Sequence, residues 1–208
     1  MTENENYSSS ISNSGSKNRK SHMEEGVMNS LKIIKDIRRS DFKEHNMLLY
    51  PDLQSYREIY SECTKQALEN NEVVFLATTY DSLENVENIL KSKCISVDYE
   101  RNEGNLVIVD AVSAYQIDTY GAINFAKSLI MRAAIEKKNG VFNISDMGSF
   151  FLTERTGELM QYEESVPKKM DLNFKAICAY HKGNFAMLTD RQQQNLVSFH
   201  NSVMDVNT

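Results

Sequence analysis

Several short segments of this sequence are apolar at nearly every position and rich in β-branched residues. Strands covered by helices on both faces have this unalternating pattern, whereas strands with one face in water alternate between apolar and polar residues. Between these segments the apolar residues recur at helical spacing. Strands and helices that alternate in this way predict a parallel sheet between two layers of helices. The predicted strands are 46–50, 73–78, 95–97, 106–109, 141–144 and 176–180.

The rest of the chain divides at two points. Residues 1–22 contain seven Ser and four Asn but only three apolar side chains, so we expect a disordered tail there. Residues 23–40 have apolar side chains at helical spacing and predict an N-terminal helix, which either docks on the domain or pairs with a second copy. Residues 41–208 are predicted to form one three-layer α/β domain. Its predicted helices are 53–68, 82–90, 119–138, 153–165 and 190–203.

Charge and composition exclude several kinds of protein. The net charge of −6 argues against a direct nucleic-acid binder and against binding to an anionic membrane. No apolar run is long enough to span a bilayer, and the N-terminal segment lacks the apolar core of a secretory signal. Three scattered cysteines fit a reducing compartment. We therefore expect a cytoplasmic protein with no metal site and no cofactor.

A phosphate-binding loop is absent from this sequence. Such a loop follows a strand and needs glycines and a lysine to surround the phosphates. The chain has only eight glycines, none of them between Gly26 and Gly104, and the first predicted strand is followed by Pro51 and Asp52. This excludes nucleotide hydrolysis by that loop.

In parallel α/β domains ligands bind beyond the carboxyl ends of the strands, so the residues at these ends are the candidates for a binding site. Asp110 and Asp146 follow apolar strands, where a carboxylate either caps the next helix or contacts a ligand or ion. His181 follows the last predicted strand and is either a polar ligand contact or a structural hydrogen-bonding residue. The candidate ligand-binding residues are Tyr50, Asp110, Tyr115, Asp146, Tyr162 and His181.

Nothing near these residues forms a catalytic group. No Ser or Cys lies in a nucleophile-elbow motif, and Cys178 lies inside a predicted strand, where we expect it to be buried and inert. We therefore expect no catalytic residues and no enzymatic activity.

Five pieces of the sequence together form a recognisable pattern. They are His45-Asn46-Met47-Leu48-Leu49-Tyr50, Leu68-Glu69-Asn70-Asn71-Glu72 with the strand that follows it, Tyr115, Leu159-Met160-Gln161-Tyr162-Glu163, and Ile177-Cys178-Ala179-Tyr180-His181 followed by Phe185. In their order and spacing, residues from about 45 to 201 resemble the MEDS (methanogen/methylotroph, DcmR sensory) domain family, and the late pieces match best. One segment departs from the family pattern: Gly-Glu-Met appears here as Ser145-Asp146-Met147, which weakens the case for Asp146 as a ligand residue.

The resemblance implies a RecA/KaiC-like core that has lost nucleotide hydrolysis and serves as a sensory module for a small organic ligand. Family members are often joined to output domains, and this chain has no room for one. We therefore expect it to signal through a partner protein or through self-association as a homodimer.

Two alternative functions stay open. One is an interaction scaffold without a ligand, favoured by ten acidic against four basic residues in 51–100. The other is a degenerate nucleotide-binding protein that uses Asp110.

Overall fold

The computed structural model describes residues 29–117, 119–170 and 172–207, without the side chains of residues 116–122. The predicted tail 1–22 and the first residues of the predicted helix 23–40 lie outside the described residues. Residues 29–39 are helical and form α1.

Six strands form one sheet, and all of them run parallel in the order β3-β2-β4-β5-β1-β6. This confirms the predicted α/β class with a parallel sheet. The strands are β1 (His45–Tyr50), β2 (Val73–Thr78), β3 (Leu106–Asp110), β4 (Val141–Asp146), β5 (Phe174–His181) and β6 (Val203–Asp205).

The helices connect these strands and cover both faces of the sheet, which gives the three predicted layers. They are α2 (Leu53–Glu69), α3 (Leu83–Ser92), α4 (Val97–Asn102), α5 (Ala111–Ile117), α6 (Thr119–Ile135), α7 (Gly148–Leu152), α8 (Thr156–Ser165), α9 (Lys182–Ala186) and α10 (Asp190–Phe199).

The first face of the sheet is mostly apolar and is covered by α1 to α4. Leu76 of β2 and Ile144 of β4 are fully buried there, against side chains such as Ile59 of α2. Helix α1 belongs to the same core through Ile34 and Ile37. The N-terminal helix, as far as residues 29–39 show it, therefore docks on its own domain, which was one of the two alternatives.

The second face carries polar side chains among apolar ones and is covered by α5 to α8 and α10. Because side chains alternate along a strand, residues two apart share a face. Asn143 and Ser145 of β4 lie with Val141 on this face, and Cys178 of β5 lies with Ala176. These polar residues are buried in the interior of the protein.

Several predicted elements were wrong in detail. Residues 95–97 form no strand: Ile95 and Val97 are apolar because they pack in the core around the start of α4. The predicted helix 153–165 is interrupted at Glu154, whose backbone is left-handed with φ 55°, so α8 begins later. The predicted helix 190–203 ends at Phe199.

Two further elements differ from the expectations. Strand β6 was missed because it is a three-residue edge strand of which only Met204 is buried. The residues before Thr119 form a helix of their own, α5. Within the described ranges, no helix combines the length and the apolar character needed to cross a bilayer.

The central strand β2 gives a test of the fold. Replacing Leu76 by Ala leaves a cavity between β2 and the helices of the first face, and we expect it to lower the free energy of unfolding by about 2–5 kcal/mol. Urea titration measures this change. The control is Leu152→Ala, at a side chain that is 58% exposed, for which we expect a much smaller change. Equal losses at both positions would contradict the packing described here.

Candidate functional site

Three of the six predicted site residues meet at the carboxyl ends of neighbouring strands. Tyr50 ends β1 and His181 ends β5, and the two pair in the sheet register, with their rings 5.4 Å apart. The Tyr50 hydroxyl donates a hydrogen bond to Oδ2 of Asp146, at the end of β4, over 3.0 Å. Tyr50 and Asp146 are both almost completely buried. These residues form a small polar group at the carboxyl ends of the three strands.

Asp146 is a buried acid whose charge is costly. Burial raises its pKa from 3.8 to about 7, and the charge of Asp81 acts in the same direction. The opposing contributions are hydrogen bonds, which favour the ionised form: the backbone N–H of Gly148 donates to Oδ1 over 2.8 Å, and Tyr50 donates to Oδ2. Asp146 therefore changes its charge near neutral pH.

Asp110 acts as a helix cap, and so does His181 of the group just described. Asp110 accepts hydrogen bonds from the backbone N–H groups of Val112 and Ser113, at 3.2 Å each, and from the Ser113 hydroxyl at 2.6 Å. The Nδ1 atom of His181 accepts a hydrogen bond from the backbone N–H of Gly183 over 3.1 Å at the start of α9. Both side chains thus satisfy backbone donors that a helix start leaves unpaired.

Tyr115 and Tyr162 lie elsewhere, on the second face of the sheet. Their rings pack edge to face with centroids 5.4 Å apart, and Phe150 of α7 packs beside Tyr115. Both tyrosines line a cavity of about 400 Å³ between the sheet, α6, α8 and the segment that leads into β5. Among the six predicted residues these are the two that line it.

The walls of the cavity are mainly apolar, although Lys127 of α6, Ser165 of α8 and Lys169 before β5 also line it. Further polar groups lie on the side of the sheet. Asn143 of β4, His45 of β1 and Cys178 of β5 lie there, and the Ser145 hydroxyl donates to Oδ1 of Asn143 over 3.0 Å. The apolar side chains that line it include Phe75, Ile123, Ala126, Ile130, Met170 and Phe174. Its position on the sheet face, rather than beyond the strand ends, differs from the expected pocket.

A second polar group includes His45 and Cys178 of this wall. Nε2 of His45 is 3.2 Å from Sγ of Cys178 and 3.3 Å from Oε2 of Glu163. Nε2 of His200 is 3.4 Å from the same carboxylate oxygen. Tyr180 donates its hydroxyl hydrogen to Oε1 of Glu163. We call His45, Glu163, Cys178 and His200 the buried cluster, because all four side chains are buried.

Burial and neighbouring groups set the charges in the buried cluster. Desolvation would raise the pKa of Glu163, but the two neighbouring histidines and the hydrogen bond from Tyr180 outweigh it and hold that pKa below its usual value. Burial lowers the pKa of His200 despite the nearby Glu163. Burial raises the pKa of the Cys178 thiol well above its usual value. These shifts favour the ionised form of Glu163, the neutral form of His200 and the protonated form of the Cys178 thiol.

The sequence reasoning missed the buried cluster and the roles of His45 and Asn143 in the cavity wall. The cluster residues lie on β1, α8, β5 and after α10, far apart in the chain, so no short spacing motif links them. The available signal was weak: His45, Glu163 and Cys178 stand inside the pieces of sequence that carry the family resemblance, and each is a polar or reactive residue next to apolar ones.

A model of one protein family matches residues 44–201, and its description is MEDS, the methanogen/methylotroph, DcmR sensory domain. This range covers about three quarters of the chain. The chain belongs to the MEDS family. The match confirms the resemblance, and it includes every residue of the cavity wall and of the buried cluster named above. The MEDS family is one of sensory domains, in agreement with the expected sensory role. No curated protein sequence matches this MEDS chain.

The buried Asp146 predicts a pH dependence of stability. Its pKa is raised in the folded MEDS domain, so between about pH 4 and pH 7 the folded state binds more protons than the unfolded state, and stability falls as pH rises through this range. Asp146→Asn imitates the protonated acid and removes this contribution. We expect the stability of the variant relative to the natural protein to increase by up to about 4 kcal/mol across the range.

Urea unfolding of both proteins at a series of pH values measures this difference, since contributions from other titrating groups cancel in the comparison. Two stability curves that stay parallel from about pH 4 to about pH 8 would show that Asp146 ionises at its ordinary pKa.

Proposed function

We propose that this MEDS domain is a non-catalytic sensory module that binds a small, mainly apolar organic molecule in the cavity on the second face of the sheet. The observation that carries the proposal is the cavity itself, with a volume of about 400 Å³ and walls built mainly from aliphatic and aromatic side chains. Small-molecule sites in proteins have this size range and this predominance of apolar lining with a few polar groups.

The polar groups in the wall indicate what kind of ligand suits the cavity. Asn143 presents a side-chain amide, and His45 and Cys178 add polar atoms on the same side. A small molecule with an apolar body and one hydrogen-bonding group satisfies both parts of the wall. The raised pKa of the Cys178 thiol supports a non-catalytic role, because a thiol that stays protonated is a poor nucleophile.

The helices around the cavity offer a route from the ligand to the surface. Helix α8 contributes Tyr162 to the cavity wall and packs against α10, whose Val197 is exposed. Met187, which lies between α9 and α10, is 77% exposed. We propose that ligand binding shifts α8 and α10 and that a partner protein or a second copy of the chain responds to this surface.

A cavity-filling variant tests ligand binding. Ala126→Phe on α6 places a ring in the cavity, whereas Met131→Phe places the same ring on the same helix at a side chain that is 68% exposed. The probes are benzene, cyclohexanone and 1-hexanol, with ATP in parallel. We expect one or more organic probes to raise the melting temperature of the natural protein and of Met131→Phe but not of Ala126→Phe.

The screen also separates the proposal from its alternatives. Ligand-free stabilisation of Ala126→Phe would show that the ring enters the cavity and that the variant is folded. A melting temperature that no organic probe changes in the natural protein would favour the interaction scaffold, and a response to ATP alone would favour the degenerate nucleotide-binding protein.

A further inference from the structure

We propose that the buried cluster binds a divalent transition-metal ion, with Zn²⁺ as the best match, through Nε2 of His45, Oε2 of Glu163, Sγ of Cys178 and Nε2 of His200. This proposal replaces the expectation from the sequence that the protein has no metal site. The proposal does not depend on a ligand in the neighbouring cavity.

The donor atoms are of the right kind and nearly at the right spacing. Zinc sites in proteins use imidazole nitrogen, thiolate sulfur and carboxylate oxygen, with bonds of about 2.0–2.3 Å, so the ligand atoms of a tetrahedral site stand roughly 3.3–3.8 Å apart. The four donor atoms here all lie within 4.8 Å of one another. The contacts between His45 and Cys178, His45 and Glu163, and His200 and Glu163 measure 3.2, 3.3 and 3.4 Å.

The hydrogen bonds of His200 argue for a cation between it and Glu163. Nδ1 of His200 lies 2.7 Å from the backbone carbonyl oxygen of Leu196. A carbonyl oxygen only accepts, so Nδ1 carries the hydrogen, and in neutral His200 the atom Nε2 presents a lone pair. That lone pair faces Oε2 of the Glu163 carboxylate over 3.4 Å. This pair of atoms is held together by a positive charge between them, which is either a second proton on His200 or a metal ion that both atoms bind.

Unpaired atoms in the buried cluster point to the same conclusion. Within the part of the chain that the structure describes, Oε2 of Glu163 and Nε2 of His200 are completely buried and have no hydrogen-bond partner. Buried polar atoms without a partner are rare and costly, and a carboxylate costs more than a neutral group. A metal ion coordinated by both atoms removes this cost.

The surrounding residues resemble the support that metal ligands need. A metal-bound histidine commonly donates its other ring N–H to a backbone carbonyl, as His200 does to Leu196. A metal-bound carboxylate is commonly held by a hydrogen bond to its second oxygen, as Glu163 is by Tyr180. Binding of the ion would release the proton of the Cys178 thiol, as is usual when zinc takes a cysteine ligand.

Metal analysis of the natural chain tests the proposal. The protein is purified without a histidine tag and without chelators and is analysed by inductively coupled plasma mass spectrometry. We expect about one zinc or other divalent transition-metal ion per chain, and its loss in Cys178→Ser and in His200→Gln. The controls are Cys94→Ser, at an exposed cysteine, and His181→Gln, at the start of α9. Both should retain the metal.

Loss of the fold would also remove the metal from the cluster variants, so apo-protein prepared from the natural chain is titrated with Zn²⁺ and with Co²⁺. We expect zinc to raise the melting temperature, and cobalt to give a thiolate-to-metal absorption band that Cys94→Ser keeps. Tyr180→Phe should weaken zinc affinity by roughly 10- to 100-fold. Metal-free purified protein together with a melting temperature that zinc leaves unchanged would overturn the proposal, and would identify the buried cluster as a hydrogen-bonded network alone.

Discussion

Both faces of the parallel sheet are buried, and this constraint determines where polar chemistry occurs in the protein. A polar side chain on a central strand has no access to bulk water, so it must find a partner within the protein. The first face carries mainly aliphatic and aromatic side chains, and its buried Asp146 finds a partner in Tyr50. The second face carries His45, Asn143, Ser145 and Cys178. His45, Asn143 and Cys178 belong to the polar wall of the cavity, and His45 and Cys178 join Glu163 and His200 in the buried cluster.

Strand β4 shows how one element serves two regions. Asn143 and Ser145 face the cavity, and the next residue, Asp146, turns to the other side and accepts hydrogen bonds from Tyr50 and from the first residue of α7. Helix α7 then places Phe150 against Tyr115 in the aromatic wall. The protonation of Asp146 and the packing of the cavity wall are thus connected through a single short helix.

The sequence was sufficient for the sheet because two-sided burial leaves a local pattern. Val73–Thr78 was predicted with the right bounds, since all six residues are buried. At Ile95 the same apolar pattern wrongly predicted a strand, because the residue is buried but pairs with no neighbouring strand. Strand β6 is mostly exposed and therefore has no apolar run that could predict it. Local apolar runs report burial, and pairing follows only when a neighbouring strand is available.

The candidate sites were harder to predict because they depend on distances across the fold. The strand-end rule located Tyr50, Asp146 and His181 together, since parallel strands end at the same edge. The cavity depends on how far α6 and α8 stand from the sheet, and this distance is set by the sum of many side-chain contacts. The buried cluster brings together residues from four elements, so only the topology places them within reach.

Helix α8 connects the two proposed functions through adjacent residues. Tyr162 faces the cavity and Glu163 faces the buried cluster, and one turn of helix cannot move one of them without moving the other. An ion held by Glu163 and His200 would fix α8 to α10 and to the sheet, and so would define the shape of the cavity that Tyr162 closes. If ion and ligand favour the same position of α8, each must raise the affinity of the other by the same factor, because coupling between two binding sites is reciprocal. The sensory response of this domain would then depend on whether its metal site is filled.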